Sequence, residues 1–294
     1  MKILLLGKNG QVGWELQRSL APLGELVSLD RHSTDYCGNL ADRDGLRHTL
    51  QTLKPDLIVN AAAYTAVDKA ETDRDTAMLI NGLAPQVMAQ EAQRSGALLV
   101  HYSTDYVFNG RGVEPWAESA VASPVNYYGQ TKLAGEQAIR TSGCQHLIFR
   151  TSWVYAARGS NFAKTMLRLA AERDTLSVIA DQHGVPTSAE LLADVTAHAI
   201  TATLRQPTLS GLYHLVPGGE TNWHAYAQFV LDFARAQGKP LKAGTVTPIP
   251  TSAYPTPAAR PLNSRLSNQK LQQAFGLRLP HWQGGVERML AELS

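Results

Sequence analysis

Short apolar runs alternate with amphipathic stretches along the first 150 residues of the chain. Two of these runs, Leu57-Ile58-Val59 and Leu98-Leu99-Val100, are continuously apolar, which is typical of strands covered by helices on both faces. Regular alternation of strands and helices predicts right-handed β–α–β units and therefore an α/β fold with a doubly wound parallel sheet. The predicted strands are 2–6, 25–29, 56–60, 98–103 and 146–151, and the predicted helices are 12–20, 44–53, 75–95 and 130–141.

The pattern becomes less regular after about residue 152. It predicts helices at 162–173, 189–203, 268–275 and 282–293, and strands at 176–180 and 212–216. Five prolines fall between residues 244 and 261, so we expect this stretch to be irregular. The two zones indicate a nucleotide-binding sheet domain followed by a smaller α+β domain that selects the substrate.

Composition and charge exclude several classes of protein. Hydrophobic residues make up 44% of the chain and charged residues 18%, which is enough apolar material for a sizeable core. The formal charge of +2 argues against binding nucleic acid or a membrane through the overall field. Two cysteines are too few for a disulfide framework, and no apolar run approaches the ~18–20 residues of a membrane span. We therefore expect a soluble, cytoplasmic enzyme.

A glycine-rich turn follows the first predicted strand and opens the first predicted helix. Gly7, Gly10 and Gly13 have the spacing Gly-x-x-Gly-x-x-Gly, which permits a tight turn and brings backbone close to a pyrophosphate at the helix N-terminus. Such a triplet can also be purely structural. Asp30 ends the second predicted strand 20 residues after Gly10, the spacing of a carboxylate that binds the adenosine ribose. Arg31 either contacts the 2′-phosphate of NADPH or is an exposed loop residue. Both NADH and NADPH are therefore candidate cofactors.

Tyr128 and Lys132 are four residues apart at the start of a predicted helix, which places the phenol and the ammonium on one helix face. A neighbouring cation lowers the pKa of a phenol from its usual value of about 10, so Tyr128 is predicted to act as the general acid of a carbonyl reduction. Thr104 ends the fourth strand and is expected to donate to the substrate carbonyl. Ser103 is expected to be a buried hydroxyl if it points into the core.

These motifs resemble those of the extended short-chain dehydrogenase/reductases, and longer segments are similar to the dTDP-4-dehydrorhamnose reductase family. The resemblance covers essentially the whole chain. It implies the last step of dTDP-L-rhamnose synthesis, in which NADH or NADPH delivers hydride to the C4 ketone of dTDP-4-dehydro-L-rhamnose. The matching segments are 60–71 (NAAAYTAVDKAE), 101–108 (HYSTDYVF), 150–156 (RTSWVYA), Asp181-Gln182…Gly184…Pro186-Thr187 and Arg260-Pro261…Asn263-Ser264-Arg265-Leu266.

The resemblance also implies roles for individual residues. Tyr128 would donate the proton, and Lys132 would adjust the pKa of Tyr128. Thr104 would take the hydroxyl position that other members give to serine. Arg260 would be either a contact to the diphosphate or a plain surface arginine. The dTDP-sugar would contact Thr104, Asp105 and Trp153. The cofactor would contact Tyr128 and Lys132 together with Gly7, Gly10, Gln11, Val12, Asp30, Asn39, Leu40, Ala63, Tyr64 and Thr65.

The resemblance further implies magnesium, a homodimer and interleaved domains. Glu15, Glu190 and Glu292 lie on three predicted helices and would hold Mg2+ near the dimer interface in a structural role. Residues 1–152 and 189–216 would form the dinucleotide-binding domain. Residues 153–188 and 217–294 would form the substrate domain.

Two alternatives to a reductase remain at this point. One is a 4-epimerase or dehydratase acting on a sugar nucleotide, although a dehydratase needs an acidic pair beside the catalytic hydroxyl, whereas Thr104 is followed by Asp105 and Tyr106. The other is a non-catalytic regulatory subunit of the same fold. The presence of Tyr128, Lys132 and Thr104 together favours catalysis.

Overall fold

The strands and helices of the computed structural model are described for residues 1–293, so residue 294 of the predicted substrate domain lies outside the described part. The strands are β1 (Lys2–Leu6), β2 (Glu25–Leu29), β3 (Leu57–Asn60), β4 (Leu98–Thr104), β5 (His146–Thr151), β6 (Val154–Tyr155), β7 (Thr175–Ile179), β8 (His183–Gly184), β9 (Thr187–Ser188), β10 (Gly211–His214), β11 (Thr221–Asn222) and β12 (Thr245–Ile249). The helices are α1 (Gln11–Leu20), α2 (Arg43–Leu53), α3 (Arg74–Met78), α4 (Ala84–Ser95), α5 (Tyr127–Ser142), α6 (Phe162–Glu172), α7 (Ala189–Arg205), α8 (Trp223–Ala236), α9 (Gln269–Phe275) and α10 (Trp282–Glu292).

Six parallel strands form the central sheet, in the order β10-β5-β4-β3-β1-β2. The predicted doubly wound parallel sheet is therefore confirmed. The chain starts in β1, adds β2 on one side and then crosses to add β3 on the other. The point where the strand order reverses lies between β1 and β3, and in such sheets the crevice at the carboxyl ends of these strands binds ligands.

The alternating side chains of β1 explain why its sequence is continuously apolar. Ile3 and Leu5 belong to a buried cluster on one face of the sheet, which includes Leu16 of α1 and Leu192 of α7. Leu4 and Leu6 belong to a second buried cluster on the opposite face, which includes residues of α2 and α4. Both faces of the strand are covered by helices, so neither face accommodates polar side chains.

The turn between β1 and α1 depends on close backbone packing. Gly7 has φ of +90°, and a Cβ atom there would lie 2.8 Å from the amide nitrogen of Ala62, which follows β3. A Cβ atom on Gly13 would lie 2.0 Å from the carbonyl oxygen of Gly7. The two glycines thus bring α1, its turn and the end of β3 into direct backbone contact, which sets the N-terminus of α1 at the crevice.

The second half of the chain both rejoins the sheet and builds a smaller unit beside it. Strand β10 pairs with β5, and α7 packs against α1. Strand β12 pairs in parallel with β7, so the prediction of an irregular stretch from 244 to 261 is wrong for residues 245–249. Its Pro248 is tolerated because β12 is paired on one side only.

Helix α8 is absent from the predicted elements. The side chain of Asn222 accepts a hydrogen bond from the backbone nitrogen of Ala225 at 2.8 Å and so caps the start of this helix. An asparagine immediately before an amphipathic run is a helix-start signal. No helix among residues 1–293 is long and apolar enough to cross a membrane.

Replacing Gly13 with alanine tests the packing of α1 against its own turn. We expect Gly13→Ala to lower the free energy of unfolding by about 1–3 kcal/mol or more, because the new methyl group overlaps the carbonyl oxygen of Gly7. Gly10→Ala is the matched control, since the nearest atom to its methyl group lies 3.4 Å away. Denaturant titration of both variants measures the difference, and equal losses would contradict the proposed packing constraint.

Candidate active site

A cavity of about 910 Å³ lies in the crevice of the sheet. It receives side chains or backbone from the turn after β1, from Asp30 after β2 and from the segments that follow β3, β4 and β5. Tyr128 and Lys132 of α5 line it from a further side. The volume is in the range of cavities that bind cofactors and drug-sized ligands, and the position is the one expected for an open α/β sheet.

One end of the cavity is suited to a dinucleotide. The carboxylate of Asp30 accepts hydrogen bonds from the backbone nitrogen of His32 at 2.8 Å and from the side chain of Asn9. The hydrogen bond from His32 lowers the pKa of Asp30, so its charge is retained as an acceptor for hydroxyl groups. Arg31 also lines this end, and its Nε donates to His32. The cavity is lined here by the predicted residues Gly7, Gly10, Gln11, Val12, Asn39, Leu40, Ala63 and Thr65.

Tyr64 departs from this set. The cavity is lined by its neighbours Ala63 and Thr65, but not by Tyr64. Its hydroxyl donates to Asp73 at 3.0 Å, and its backbone nitrogen donates to the side chain of Asn81 at 2.9 Å. The backbone nitrogen and the hydroxyl of Tyr64 are thus bound by Asn81 and Asp73, and its contact with the cofactor stays a prediction.

The helix that carries Tyr128 and Lys132 begins at Tyr127, three residues before its predicted start. The side chain of Asn126 accepts a hydrogen bond from the backbone nitrogen of Gly129 at 2.8 Å and so caps the first turn. Both functional side chains consequently belong to the helix. The Nζ atom of Lys132 donates to the carbonyl oxygen of Tyr102 at 2.6 Å, and the side chain is almost fully buried.

The electrostatic environment of Tyr128 differs from the predicted one. Burial and the charge of Asp105 raise the pKa of Tyr128 to about 12, while its hydrogen bond with Thr104 opposes the shift. The predicted lowering of this pKa by Lys132 is not found, because the lysine is directed at the carbonyl of Tyr102 and at His101. Tyr128 therefore keeps its proton at neutral pH, which is the form that a proton donor requires.

The hydroxyls of Ser103 and Thr104 have different partners. Thr104 donates to a carboxylate oxygen of Asp105 at 3.1 Å and lies beside Tyr128. Ser103 instead donates to the carboxylate of the buried Glu136. Burial raises the pKa of Asp105 to about 6, with Thr104 and Ser264 opposing the shift. The hydroxyl next to the phenol of Tyr128 is thus that of Thr104.

An ion pair that sequence reasoning missed involves α5, the helix of Tyr128 and Lys132. Arg150 of β5 donates to Glu136 of α5 through two nitrogens, at 2.9 and 2.6 Å. The side chain of Arg150 is 3% exposed and that of Glu136 is 0% exposed. The pair joins α5 to the sheet one turn after Lys132. Its members stand only 14 residues apart in sequence but on different elements, so no helix or strand spacing indicates the contact.

The other end of the cavity has an aromatic wall. Trp153 follows β5 with φ of +46°, and its ring stacks on that of Trp223 with centroids 3.7 Å apart. The indole nitrogen of Trp223 donates to Gln182 at 3.1 Å. Both rings line the cavity. Trp223 was missed because it is the first residue of α8, which the sequence pattern did not predict.

Arg260 forms an ion pair instead of lining the cavity. Its guanidinium donates to a carboxylate oxygen of Asp68 at 2.8 Å and to the carbonyl oxygen of Ala258 at 3.1 Å. It also lies 6.0 Å from the centre of the Tyr106 ring. Tyr106 itself lines the cavity, so Arg260 lies directly behind the wall, and its contact to a diphosphate stays a prediction.

The three glutamates predicted to bind magnesium are paired with arginines. Arg288 contacts Glu190 at 3.3 Å and Glu292 at 3.5 Å, and Arg18 contacts Glu15 at 3.6 Å. The charges of Glu15 and Glu292 contribute to the raised pKa of Glu190, after burial and the opposing effect of Arg288. Within residues 1–293 no group of three or more acidic, histidine or cysteine side chains is arranged to hold a metal ion. The structural Mg2+ at a dimer interface stays a prediction.

Comparison with known proteins places the whole chain in one family. The family model described as RmlD substrate binding domain matches residues 1–294. The dTDP-4-dehydrorhamnose reductase of Salmonella typhimurium is 59% identical over 293 residues, which cover 100% of this chain and 98% of that protein. The dTDP-4-dehydrorhamnose reductase of Escherichia coli K12 is 58% identical with the same coverage.

Solved structures agree with this result. The dTDP-4-dehydrorhamnose reductase of Bacillus anthracis, in complex with NADP, is 35% identical and superposes with a TM-score of 0.87 over 99% of both chains. The UDP-glucose 4-epimerase of Thermus thermophilus, in complex with NAD, is 22% identical with a TM-score of 0.78, covering 99% of this chain and 98% of that one. The latter shows the fold alone.

Removing one partner of the buried ion pair tests its structural role. We expect Arg150→Leu to lower the free energy of unfolding by about 3–5 kcal/mol, because it leaves the carboxylate of Glu136 buried without a counter-charge. The control is Arg168→Leu, which breaks an exposed pair with Glu172 and should cost at most about 1 kcal/mol. Denaturant titration distinguishes the two, and similar losses would show that burial adds nothing to this pair.

Proposed function

Because the chain belongs to the family of dTDP-4-dehydrorhamnose reductases, we propose that Tyr128, Lys132 and Thr104 perform its reaction. The chain is an NAD(P)H-dependent oxidoreductase, and its activity is dTDP-4-dehydrorhamnose reduction in dTDP-L-rhamnose biosynthesis. The observation that carries the assignment of residues is the position of the Tyr128 phenol. The phenol lies beside the Thr104 hydroxyl and lines the same cavity as the glycine turn and the aromatic wall.

The dinucleotide end of the cavity fits the NADP that the Bacillus anthracis relative binds. When bound, a reduced nicotinamide supplies the hydride that reaches C4 of the substrate. The turn at Gly7 and Gly10 and the N-terminus of α1 would hold the diphosphate, with Gln11 and Val12 beside it. Asp30 would accept hydrogen bonds from the adenosine ribose. Asn39 and Leu40 would border the adenine, and Ala63 and Thr65 would border the part beyond β3.

Proton transfer is assigned to Tyr128. As negative charge develops on the C4 oxygen, the phenol donates its proton and the carbonyl becomes an alcohol. The hydroxyl of Thr104 is placed to donate a hydrogen bond to the same oxygen, which stabilises the developing charge. The ammonium of Lys132 lines the same cavity and would bind the nicotinamide ribose.

The substrate is assigned to the aromatic end of the cavity. Asp105 would accept a hydrogen bond from the sugar, and Trp153 would cover one side of the dTDP-sugar, with Trp223 stacked on its ring. We also propose that the chain is divided into two interleaved domains. The dinucleotide-binding domain consists of residues 1–152 and 189–216, and the substrate domain consists of residues 153–188 and 217–294. This division is supported by the return of α7 and β10 to the sheet. The homodimer implied by the family resemblance stays a prediction.

The epimerase and dehydratase alternatives are less well supported. The relatives with more than half of their residues in common over the full chain are dTDP-4-dehydrorhamnose reductases, whereas the epimerase shares only the fold. The dehydratase alternative also lacks a second acidic side chain next to Thr104, because Asp105 is followed by Tyr106.

Replacing the phenol tests the proton donor. We expect Tyr128→Phe to lower kcat for NADPH oxidation with dTDP-4-dehydro-L-rhamnose by about 10²–10⁴-fold, because it removes the general acid. The dissociation constant for NADPH, measured by fluorescence titration, should change little. Tyr127→Phe is the matched control, since its ring lies under Arg74 and outside the cavity lining. Undiminished turnover in Tyr128→Phe would disprove the assignment.

Cofactor preference is tested at Arg31, the cation that lines the cavity beside Asp30. If Arg31 binds the 2′-phosphate, Arg31→Ala should weaken NADPH binding by about 10–100-fold, since a charge-assisted hydrogen bond is lost, and leave NADH binding nearly unchanged. Arg43→Ala serves as a control because Arg43, in α2, does not line the cavity. Equal losses for both cofactors would show that Arg31 does not read the phosphate.

A further inference from the structure

A line of buried polar groups leads from the end of β3 to Lys132. Asn60 ends β3 and pairs in register with His101 of β4. The side-chain nitrogen of Asn60 lies 3.1 Å from Nδ1 of His101, and Nε2 of His101 lies 3.3 Å from Nζ of Lys132. Asn60 and His101 are each 1% exposed, and Lys132 is 2% exposed. None of the roles assigned above uses His101.

The direction of these hydrogen bonds follows from one backbone group. The N–H of Ala62 donates to Oδ1 of Asn60 at 3.1 Å, and a backbone nitrogen can only donate. The Nδ2 group of Asn60, also a donor only, therefore faces His101. Nδ1 of His101 must then be the acceptor. A neutral imidazole with a free Nδ1 carries its proton on Nε2, so the histidine is held in the Nε2–H form.

The imidazole is neutral for two reasons. Burial lowers the pKa of His101 well below its usual value, and the neighbouring Lys132 lowers it further. The Nε2–H bond then points at Nζ of Lys132. All hydrogens of an ammonium are donors, so an N–H directed at it is unfavourable, whereas a neutral amine offers a lone pair. The carbonyl oxygen of Tyr102 accepts from either form of the lysine, but more strongly from the ammonium, so this contact opposes the effect of His101.

We propose that His101, held by Asn60 in the Nε2–H form, is a positioning residue that directs an N–H at Lys132 and weakens the site's preference for the ammonium. The proposal deepens the function proposed above and rests on Lys132 acting beside Tyr128. It predicts that the ratio of charged to neutral Lys132 depends on a neighbour that contacts neither Tyr128 nor the substrate carbonyl.

Other charges near Lys132 act in known directions. Burial lowers the pKa of Lys132 to about 8, and the carboxylate of Glu136 opposes this shift. Glu136 is itself bound by Arg150 and Ser103, which weakens its effect on the pKa of Lys132. Asp105 acts chiefly on Tyr128 and Tyr106, whose pKa values it raises. If the ammonium is the active form, the rate falls as pH rises through about 8.

The test is the pH dependence of hydride transfer, measured by stopped flow in single turnovers with NADPH and dTDP-4-dehydro-L-rhamnose. His101→Leu removes the opposing N–H, so the falling limb of the curve of rate against pH should move up by about one pH unit. This shift corresponds to a tenfold change in the ratio of ammonium to amine at Lys132. Asn60→Asp should move it in the same direction. A carboxylate accepts from both Ala62 and Nδ1–H, which turns Nε2 into an acceptor for the ammonium.

A double variant separates the histidine's effect from the added charge. In the His101→Leu background, Asn60→Asp should move the limb less than it does alone, because no imidazole is left to transmit the change. Tyr102→Phe is the control for disturbance of β4. It keeps the carbonyl that binds Lys132 and alters only a side chain bound to Thr196, so the limb should stay in place.

The outcomes are distinct. If His101→Leu and Asn60→Asp lower the rate at every pH without moving the limb, His101 has only a structural role and the inference is overturned. If His101→Leu does not fold, His101→Phe, which keeps a planar ring and removes both ring nitrogens, replaces it in the single and the double variant. Lys132→Gln tests the underlying function: a falling limb that persists in this variant would show that Lys132 is not the titrating group, which refutes the lysine's proposed role itself.

Discussion

The buried ion pair between Glu136 and Arg150 holds together the elements on which the active site depends. It ties α5, which carries Tyr128 and Lys132, to β5, while Ser103 of β4 donates to the same carboxylate. A charge in the interior is stable only while its partner is in place, so this arrangement leaves little freedom for α5 to slide along the sheet. The positions of the phenol and the lysine are therefore set by an ion pair whose two members, Glu136 and Arg150, do not line the cavity.

Burial also determines the chemistry of the site. It raises the pKa of Tyr128 to about 12 and lowers the pKa of Lys132 to about 8. Both shifts disfavour charge, as expected where water is excluded. For a reductase the first shift is useful, because the phenol must hold a proton until the C4 oxygen needs it. The second makes the charge on the lysine sensitive to its neighbours, which is why the orientation of His101 matters.

The main sheet could be predicted from the sequence because each central strand is apolar on both faces. The core of the site was also predictable, since the glycine turn, Asp30, Thr104 and Tyr128 follow from strand ends and short spacings. Trp223 was missed with the whole of α8. Tyr64 was assigned to the cofactor by resemblance, whereas its hydroxyl bonds to Asp73. A resemblance assigns a position along the chain, but packing decides which way each side chain points.

The sequence by itself determined features that lie within one turn or one helix. The Gly-x-x-Gly-x-x-Gly turn and the pair Tyr128 and Lys132 are close in space because they are close along the chain. The tertiary structure decided every partner that comes from another element. Asn60 and His101 are 41 residues apart, and the form of that histidine depends on the backbone N–H of Ala62. Such contacts arise from the register of strands and the packing of helices, which no local spacing encodes.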